Sequence, residues 1–219
     1  DKRVRVGEIL AKKKADSAVI SASDSIAWLL NIRGGDVPNC PLPLSFAILQ
    51  ADGAVDLFID QRKLAPGTRE HLGNGVALRP IEEFPEALSG LSGKVLADPA
   101  TAAAGIFDLL AESTVEVVEG SDPCQLPKAC KNDAELAGSA AAHIRDGVAL
   151  TRFLHWLDTE AQSGGITEID AAIKLEEFRE DLGGLNDLSF PTISGAGPNG
   201  ALPHYRVSTA SNPWSASAL

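Results

Sequence analysis

Apolar and polar positions along the first 122 residues switch repeatedly between strand-like and helix-like spacing. Residues 4–14 read as a helix, and Lys12, Lys13 and Lys14 at its end suit the negative pole of the helix dipole. Residues 17–22 form a short strand-like run. Asp24 is then placed to cap a helix through Ile26, Trp28, Leu29 and Leu30. Residues 31–43 are a loop rich in glycine and proline. Residues 45–50 and 54–60 flank Asp52 and Gly53, a dipeptide that closes tight hairpins. Further strands are expected at 76–79, 94–97 and 114–118, with helices at 81–89 and 100–112. Such alternation predicts an α/β layer domain on a mixed sheet.

The texture changes after residues 120–131 (GSDPCQLPKACK), which hold two prolines and no hydrophobic period. Asn132 and Glu135 have capping-box spacing, and Leu136, Ala140, Ile144, Leu150, Phe153, Leu154 and Leu157 follow a period near 3.6. The pattern predicts one long helix stopped by Gly164 and Gly165. Thr167 and Asp170 form a second capping box, opening a helix through Phe178 that Gly183 and Gly184 end. Strand-like patches follow at 190–193 and 201–207. The expected organisation is an α/β domain over 1–122, a linker over 123–131, and an α+β domain over 132–219 that begins without being completed.

Composition narrows the function. Thirty acidic against nineteen basic residues give a net charge of −11, and neither half of the chain is basic, so nucleic acid is not an expected partner. No run of apolar residues is long enough for a membrane span, and the N-terminal residues lack the apolar stretch of a signal peptide. Three cysteines (Cys40, Cys124, Cys130) cannot all pair within one chain, and reduced thiols in a cytoplasmic protein are the expectation. Methionine is absent even at position 1, so the sequence reads as part of a longer polypeptide.

The sharpest short pattern is Gly195-x-Gly197-x-x-Gly200. As a dinucleotide fingerprint it would have to follow a strand and open a helix. Pro198 inside it and a strand-like run after it favour a glycine turn instead. Cys124 and Cys130 have no histidine or third cysteine at zinc-site spacing. Glu82 with Glu83, and Glu176 with Glu177, read as solvated helix faces. Of the four histidines, His71 falls in a polar loop, and His143 and His155 sit too far apart on one helix to share a metal. His204 differs: it follows the glycine turn, and imidazole exchanges a proton readily near neutral pH. No serine lies in a nucleophile elbow.

Several segments together resemble a known family, the three-domain Xaa-Pro aminopeptidases (aminopeptidase P) of the creatinase/prolidase-like pita-bread metallopeptidases. IAWLLNIRG (26–34), with Asp36 and Pro38 and the following hairpin, is similar to that family's middle domain. HIRDGVAL (143–150), ITEIDAA (166–172), EEFR (176–179), LSFPTIS (188–194), GPNGA (197–201) and His204-Tyr205 are similar, in order and spacing, to the opening of its catalytic domain. The resemblance implies a complete creatinase N-terminal-like middle domain followed by an incomplete pita-bread domain. It also implies a homodimeric hydrolase that releases the N-terminal residue from peptides with proline second. Two divalent metals, usually manganese, would activate the attacking hydroxide. His204 matches the family histidine that lies beside the metals and hydrogen-bonds the substrate, and it is the candidate catalytic residue.

The family's metal ligands (two aspartates, a histidine and two glutamates) lie C-terminal to the His-Tyr motif. Residues 206–219 (RVSTASNPWSASAL) contain no Asp, Glu or His, and Pro213-Trp214 depart from the family pattern. No metal ligand is therefore expected in this chain, and the chain alone is expected to be inactive. Two alternatives stand beside this reading: a non-catalytic interaction or dimerisation module of the same family, and a creatinase-like amidinohydrolase on the same fold.

Overall fold

The computed structural model describes residues 1–207. The chain divides into two compact units, Asp1–Lys131 and a second that begins at Asn132. The Pro213-Trp214 departure lies outside the described residues.

In the first unit, helices α1 (Lys2–Lys12), α2 (Ser23–Leu30), α3 (Thr68–Leu72), α4 (Phe84–Ser89), α5 (Ala104–Ala111) and α6 (Gln125–Ala129) surround six strands. These are β1 (Ser17–Ile20), β2 (Ser45–Gln50), β3 (Val55–Ile59), β4 (Val76–Arg79), β5 (Lys94–Ala97) and β6 (Glu116–Glu119). They form one mixed sheet in the order β4-β3-β2-β1-β5-β6. The pairs β1–β2 and β2–β3 are antiparallel, while β1–β5, β3–β4 and β5–β6 are parallel.

Side chains alternate across a strand, and the sequence uses both faces. Ala18, Ile20, Ala47, Leu49, Leu57 and Leu96 point to one core, closed by Val6 and Leu10 of α1 and by Ile26, Leu29 and Leu30 of α2. Their neighbours Val19, Ile48, Phe58, Val95 and Ala97 point to the other, closed by Phe84 and Leu88 of α4 and by Ile106 and Leu110 of α5. A sheet covered on both sides explains why β1 is buried at all four positions. The hairpin between β2 and β3 turns at Gly53, whose φ of +90° few other residues adopt. The Asp52 carboxylate accepts the Ala54 N–H at 2.9 Å.

Several boundaries differ from the sequence expectation, each for a local reason. Ala22 occupies the N-cap of α2 without a side-chain bond, and Asp24 lies in the first turn. Its carboxylate is drawn instead to the Lys128 ammonium of α6. Helix α5 starts at Ala104 rather than 100, because Asp98 shapes the preceding turn. Its Oδ1 accepts the Ala100 N–H at 2.9 Å, and its backbone oxygen accepts that of Ala102 at 2.9 Å. Strand β6 begins at Glu116 rather than 114, after a turn in which the Ser113 hydroxyl donates to Leu110 O at 2.7 Å. Helices α3 and α6, five residues each, are too short for a period to reveal.

The second unit opens with α7 (Asp133–Thr159), 27 residues and about 40 Å at ~1.5 Å per residue. Its Asn132–Glu135 capping box is formed in both directions, with bonds of 2.9 Å. A 3-10 turn (Ala161–Ser163) and the Gly164–Gly165 break lead to α8 (Glu168–Asp181), opened by the Thr167–Asp170 box. The two helices are tied by Arg179 Nε donating to Asp146 Oδ1 at 2.6 Å. Residues 190–193 and 201–207 form no strand: the first is irregular, and Gly197–Ala201 is a 3-10 turn. Strand-forming side chains alone do not make a strand; a neighbour must accept the ladder hydrogen bonds. Among the described residues of this unit no such neighbour is formed.

Candidate functional site

Helix α8 begins where the Thr167 hydroxyl accepts the Asp170 N–H at 3.2 Å and the Asp170 carboxylate accepts the Thr167 N–H at 2.8 Å. This fixes the next residue, Glu168, on the first turn, where the helix dipole favours a negative charge. Glu168 has no exposed surface. Its Oε1 accepts the Ala196 N–H at 2.6 Å and the Asn199 amide at 3.1 Å, and its Oε2 accepts the Tyr205 hydroxyl at 2.6 Å. The Asn199 amide also lies 3.1 Å from the Tyr205 hydroxyl oxygen, to which it donates. Burial pushes the Glu168 carboxyl up. Hydrogen bonds from Tyr205, Ala196 and Asn199 outweigh that effect and hold it below the ordinary range, so it is the carboxylate that is bound.

The segment attached to Glu168 is the glycine turn. Gly197 takes a φ of +54° and starts the 3-10 turn with Pro198, and Leu202 N–H closes onto Asn199 O at 3.1 Å. The triple-glycine pattern therefore builds a turn, with irregular chain before it and, among the described residues, no α-helix after it. His204, two residues beyond Leu202, is exposed and left-handed, with φ +54°. Tyr205 is turned inward and only 9% exposed. His204 lines an open cavity of about 470 Å³ with Phe190, Pro191, Thr192, Ile193 and Arg206 among its walls. An imidazole at the edge of a mostly apolar cavity can exchange a hydrogen bond or a proton with whatever enters.

The other histidines have structural positions. His71 sits on α3, with Nε2 at 3.2 and 3.0 Å from the Leu30 and Asn31 carbonyl oxygens, so its Nε2–H closes the C-terminus of α2. His143 Nδ1 is 2.8 Å from Ser139 O one turn back on α7, and His155 is exposed. Neither is brought to His204. The cysteines are free, with Cys124 buried beside Asp122 and Cys130 exposed. Burial, then the Asp122 carboxylate, pushes the Cys124 thiol well up, opposite to the shift a reactive thiol needs. Glu82, Glu83 and Glu177 are exposed, and Glu177 pairs with Lys174 at 2.8 Å.

Among the described residues, no group of three or more His, Cys, Asp or Glu is placed to hold a metal ion. The carboxylate tied to the segment that carries His204 is Glu168, and its oxygens are engaged by protein donors. These residues do not fit a two-metal centre. Among the described residues, no helix is long and apolar enough to cross a membrane. The Glu168–Asn199–Tyr205 cluster was not marked in the sequence: a glutamate on a first helical turn is common and usually solvated, and nothing local distinguishes this one.

Residues 1–135 match the creatinase/prolidase N-terminal domain model, and residues 137–216 match metallopeptidase family M24. A probable Xaa-Pro aminopeptidase P from Paracoccidioides brasiliensis is 39% identical over 213 residues, covering 90% of this chain and 34% of its own. One from Aspergillus clavatus is 40% identical over 208 residues, covering 90% and 32%. This chain thus spans about a third of the length of such relatives. An X-prolyl aminopeptidase from Caenorhabditis elegans, described as a cytosolic enzyme with a di-nuclear active site, superposes with a TM-score of 0.85. It is 33% identical, over 97% of this chain and 36% of that one. An Xaa-Pro dipeptidase from Bacillus anthracis shares the fold at 18% identity, with a TM-score of 0.65. The family match over residues 1–135, on a sheet and core of the kind described above, settles the kinship: the chain belongs to the creatinase/prolidase N-terminal domain family.

Proposed function

We propose that the protein to which this chain belongs is a metal-dependent aminopeptidase releasing the N-terminal residue from peptides with proline in second position. The observation that carries it is the 33% identity and TM-score of 0.85 to an X-prolyl aminopeptidase across 97% of the chain. The working division is 1–122 as the middle domain, 123–131 as a linker and 132–219 as the opening of the catalytic domain. Two divalent metals, manganese by resemblance, are held by residues other than those described, and the chain alone is inactive. A homodimeric cytoplasmic enzyme is the accompanying reading; the cytosolic C. elegans neighbour supports its location.

The part played by this chain is His204. The scissile bond precedes proline, so its nitrogen carries no hydrogen for an acceptor to recognise. Orientation must come from the carbonyl side and from shape. The exposed His204 imidazole offers one N–H to the scissile carbonyl oxygen, or to the oxyanion formed from it, and the adjoining apolar wall offers shape for the substrate. In the full-length protein, His204→Ala should lower kcat on an Xaa-Pro peptide by about 10²-fold or more, the range of one such contact. Unchanged turnover would remove His204 from the reaction. Manganese-dependent cleavage by the 219-residue chain alone would overturn its assignment as inactive.

A further inference from the structure

Glu168 is a fully buried carboxylate on the first turn of a helix, and three of its partners among the described residues lie in one later stretch of chain, 28 to 37 residues downstream. Burying a carboxylate costs several kcal/mol unless its lone pairs are bonded. Bonds from a backbone N–H, an amide and a phenol meet that cost while binding residues 196, 199 and 205 to the start of α8. His204 lies inside that bound stretch. Its φ of +54° is uncommon outside glycine and persists only where flanking contacts over-determine the backbone. Those contacts are visible on both sides: Ala196 and Asn199 before it, Tyr205 immediately after. Reversing the backbone at 204 lets Tyr205 turn inward onto Glu168 while His204 faces the cavity.

We infer that Glu168 is a positioning residue for His204, acting through Tyr205 and the 196–201 turn to aim the imidazole into the 470 Å³ cavity. The inference rests on the proposed catalytic use of His204 for its consequence, but not for its geometry. Glu168 touches no substrate; it sets where the imidazole sits.

The test uses the full-length protein with E168Q, Y205F, H204A and the double variant E168Q/H204A. Gln keeps one acceptor oxygen for the Ala196 and Asn199 donors and loses the one that takes the Tyr205 hydroxyl, and Y205F removes only that hydroxyl, so each breaks the Tyr205 link where E168A would strip the acceptor from all three donors. Misplacing a reacting group by about 1 Å costs up to ~10²-fold, so E168Q and Y205F should each lower kcat by about tenfold or more with KM within about twofold. In the H204A background, E168Q should cost less than about twofold, because the two residues act as one unit. Where H204A is impaired, a folded E168Q enzyme with wild-type kcat would overturn the inference, and so would a loss that adds fully to that of H204A. A second readout needs no turnover: the rate at which diethylpyrocarbonate modifies His204, followed by mass spectrometry with His71, His143 and His155 as internal standards. A several-fold change at His204 alone in E168Q and Y205F is expected, and an unchanged rate sinks the positioning role. If H204A proves fully active, the proposed function of His204 fails, and the modification rate still decides whether Glu168 aims it.

Discussion

At Glu168 two opposing effects meet on one carboxyl group, and their balance has a sign that solution measurements can read. Burial favours the neutral acid, whereas the Tyr205, Ala196 and Asn199 donors favour the carboxylate and prevail. A carboxyl whose folded pKa lies below its unfolded value stabilises the fold above the unfolded pKa, and that contribution is lost as pH falls through the folded pKa. Backbone amides of residues 195–205 should therefore exchange slowly near neutral pH in the wild type and faster in E168Q. The gap should close as pH is lowered below about 4, the ordinary carboxylate range. A gap that persists or widens in acid would contradict the charged-carboxylate assignment. The same reasoning with the opposite result applies to Cys124. Burial and the Asp122 carboxylate keep its thiol protonated, so in the native protein alkylation should reach exposed Cys130 far faster than Cys124. Peptide mapping after iodoacetamide treatment checks this; equal labelling under native conditions would mean that Cys124 is not buried as described.

Elements built from local chemistry could be foreseen, and those decided by distant partners could not. Both capping boxes and the Asp52-Gly53 hairpin follow from neighbours within a few positions, and the structure forms them as expected. Asp24 is not the cap because α2 starts one residue before it, with Ala22 at the N-cap, and its carboxylate also meets Lys128, remote in sequence. The patches at 190–193 and 201–207 have strand-forming side chains but no pairing neighbour among the described residues. The candidate site divides along the same line. His204 stood out because a histidine after a glycine turn is locally odd, while the described partners that give Glu168 its meaning lie 28 to 37 positions away. Packing makes a comparable distinction at Gly7 on α1. A helix-interior glycine normally gains about 1 kcal/mol on replacement by alanine. Here the added Cβ would run into the backbone carbonyl oxygen of Ala51, which cannot rotate away. Overpacking of that kind costs roughly 1–3 kcal/mol, so Gly7→Ala should destabilise the first unit by on the order of 1–2 kcal/mol. Denaturant titration measures it, and a stabilised variant would mean that α1 shifts freely off the end of β2.

Across the chain, apolar burial is unevenly divided, and that imbalance bears on what each unit can do alone. Both hydrophobic clusters described above belong to the first unit, where a six-stranded sheet is covered on two faces by helices from the same segment. A core of that kind is self-sufficient: residues 1–131 as a separate polypeptide should be soluble and unfold in one cooperative transition. The second unit contrasts with it. On α7, Leu136, Ile144, Leu150 and Leu154 are 54%, 70%, 43% and 52% exposed, and Ile173 on α8 is 49% exposed. Only Ala149 and Leu157 of the 27 residues in α7 are buried. The regular apolar period along α7 reads as a core-facing stripe, yet the described residues cover little of it. Two helices that leave such a stripe to solvent gain too little burial to offset the conformational entropy of ordering them. They also present a contiguous apolar surface to other copies. Residues 126–219 as a separate polypeptide should therefore aggregate at micromolar concentration, with light scattering rising while residues 1–131 stay monomeric. A monomeric 126–219 polypeptide with a sharp melting transition would show that this unit closes its own core, and the exposed stripe on α7 would then need another explanation.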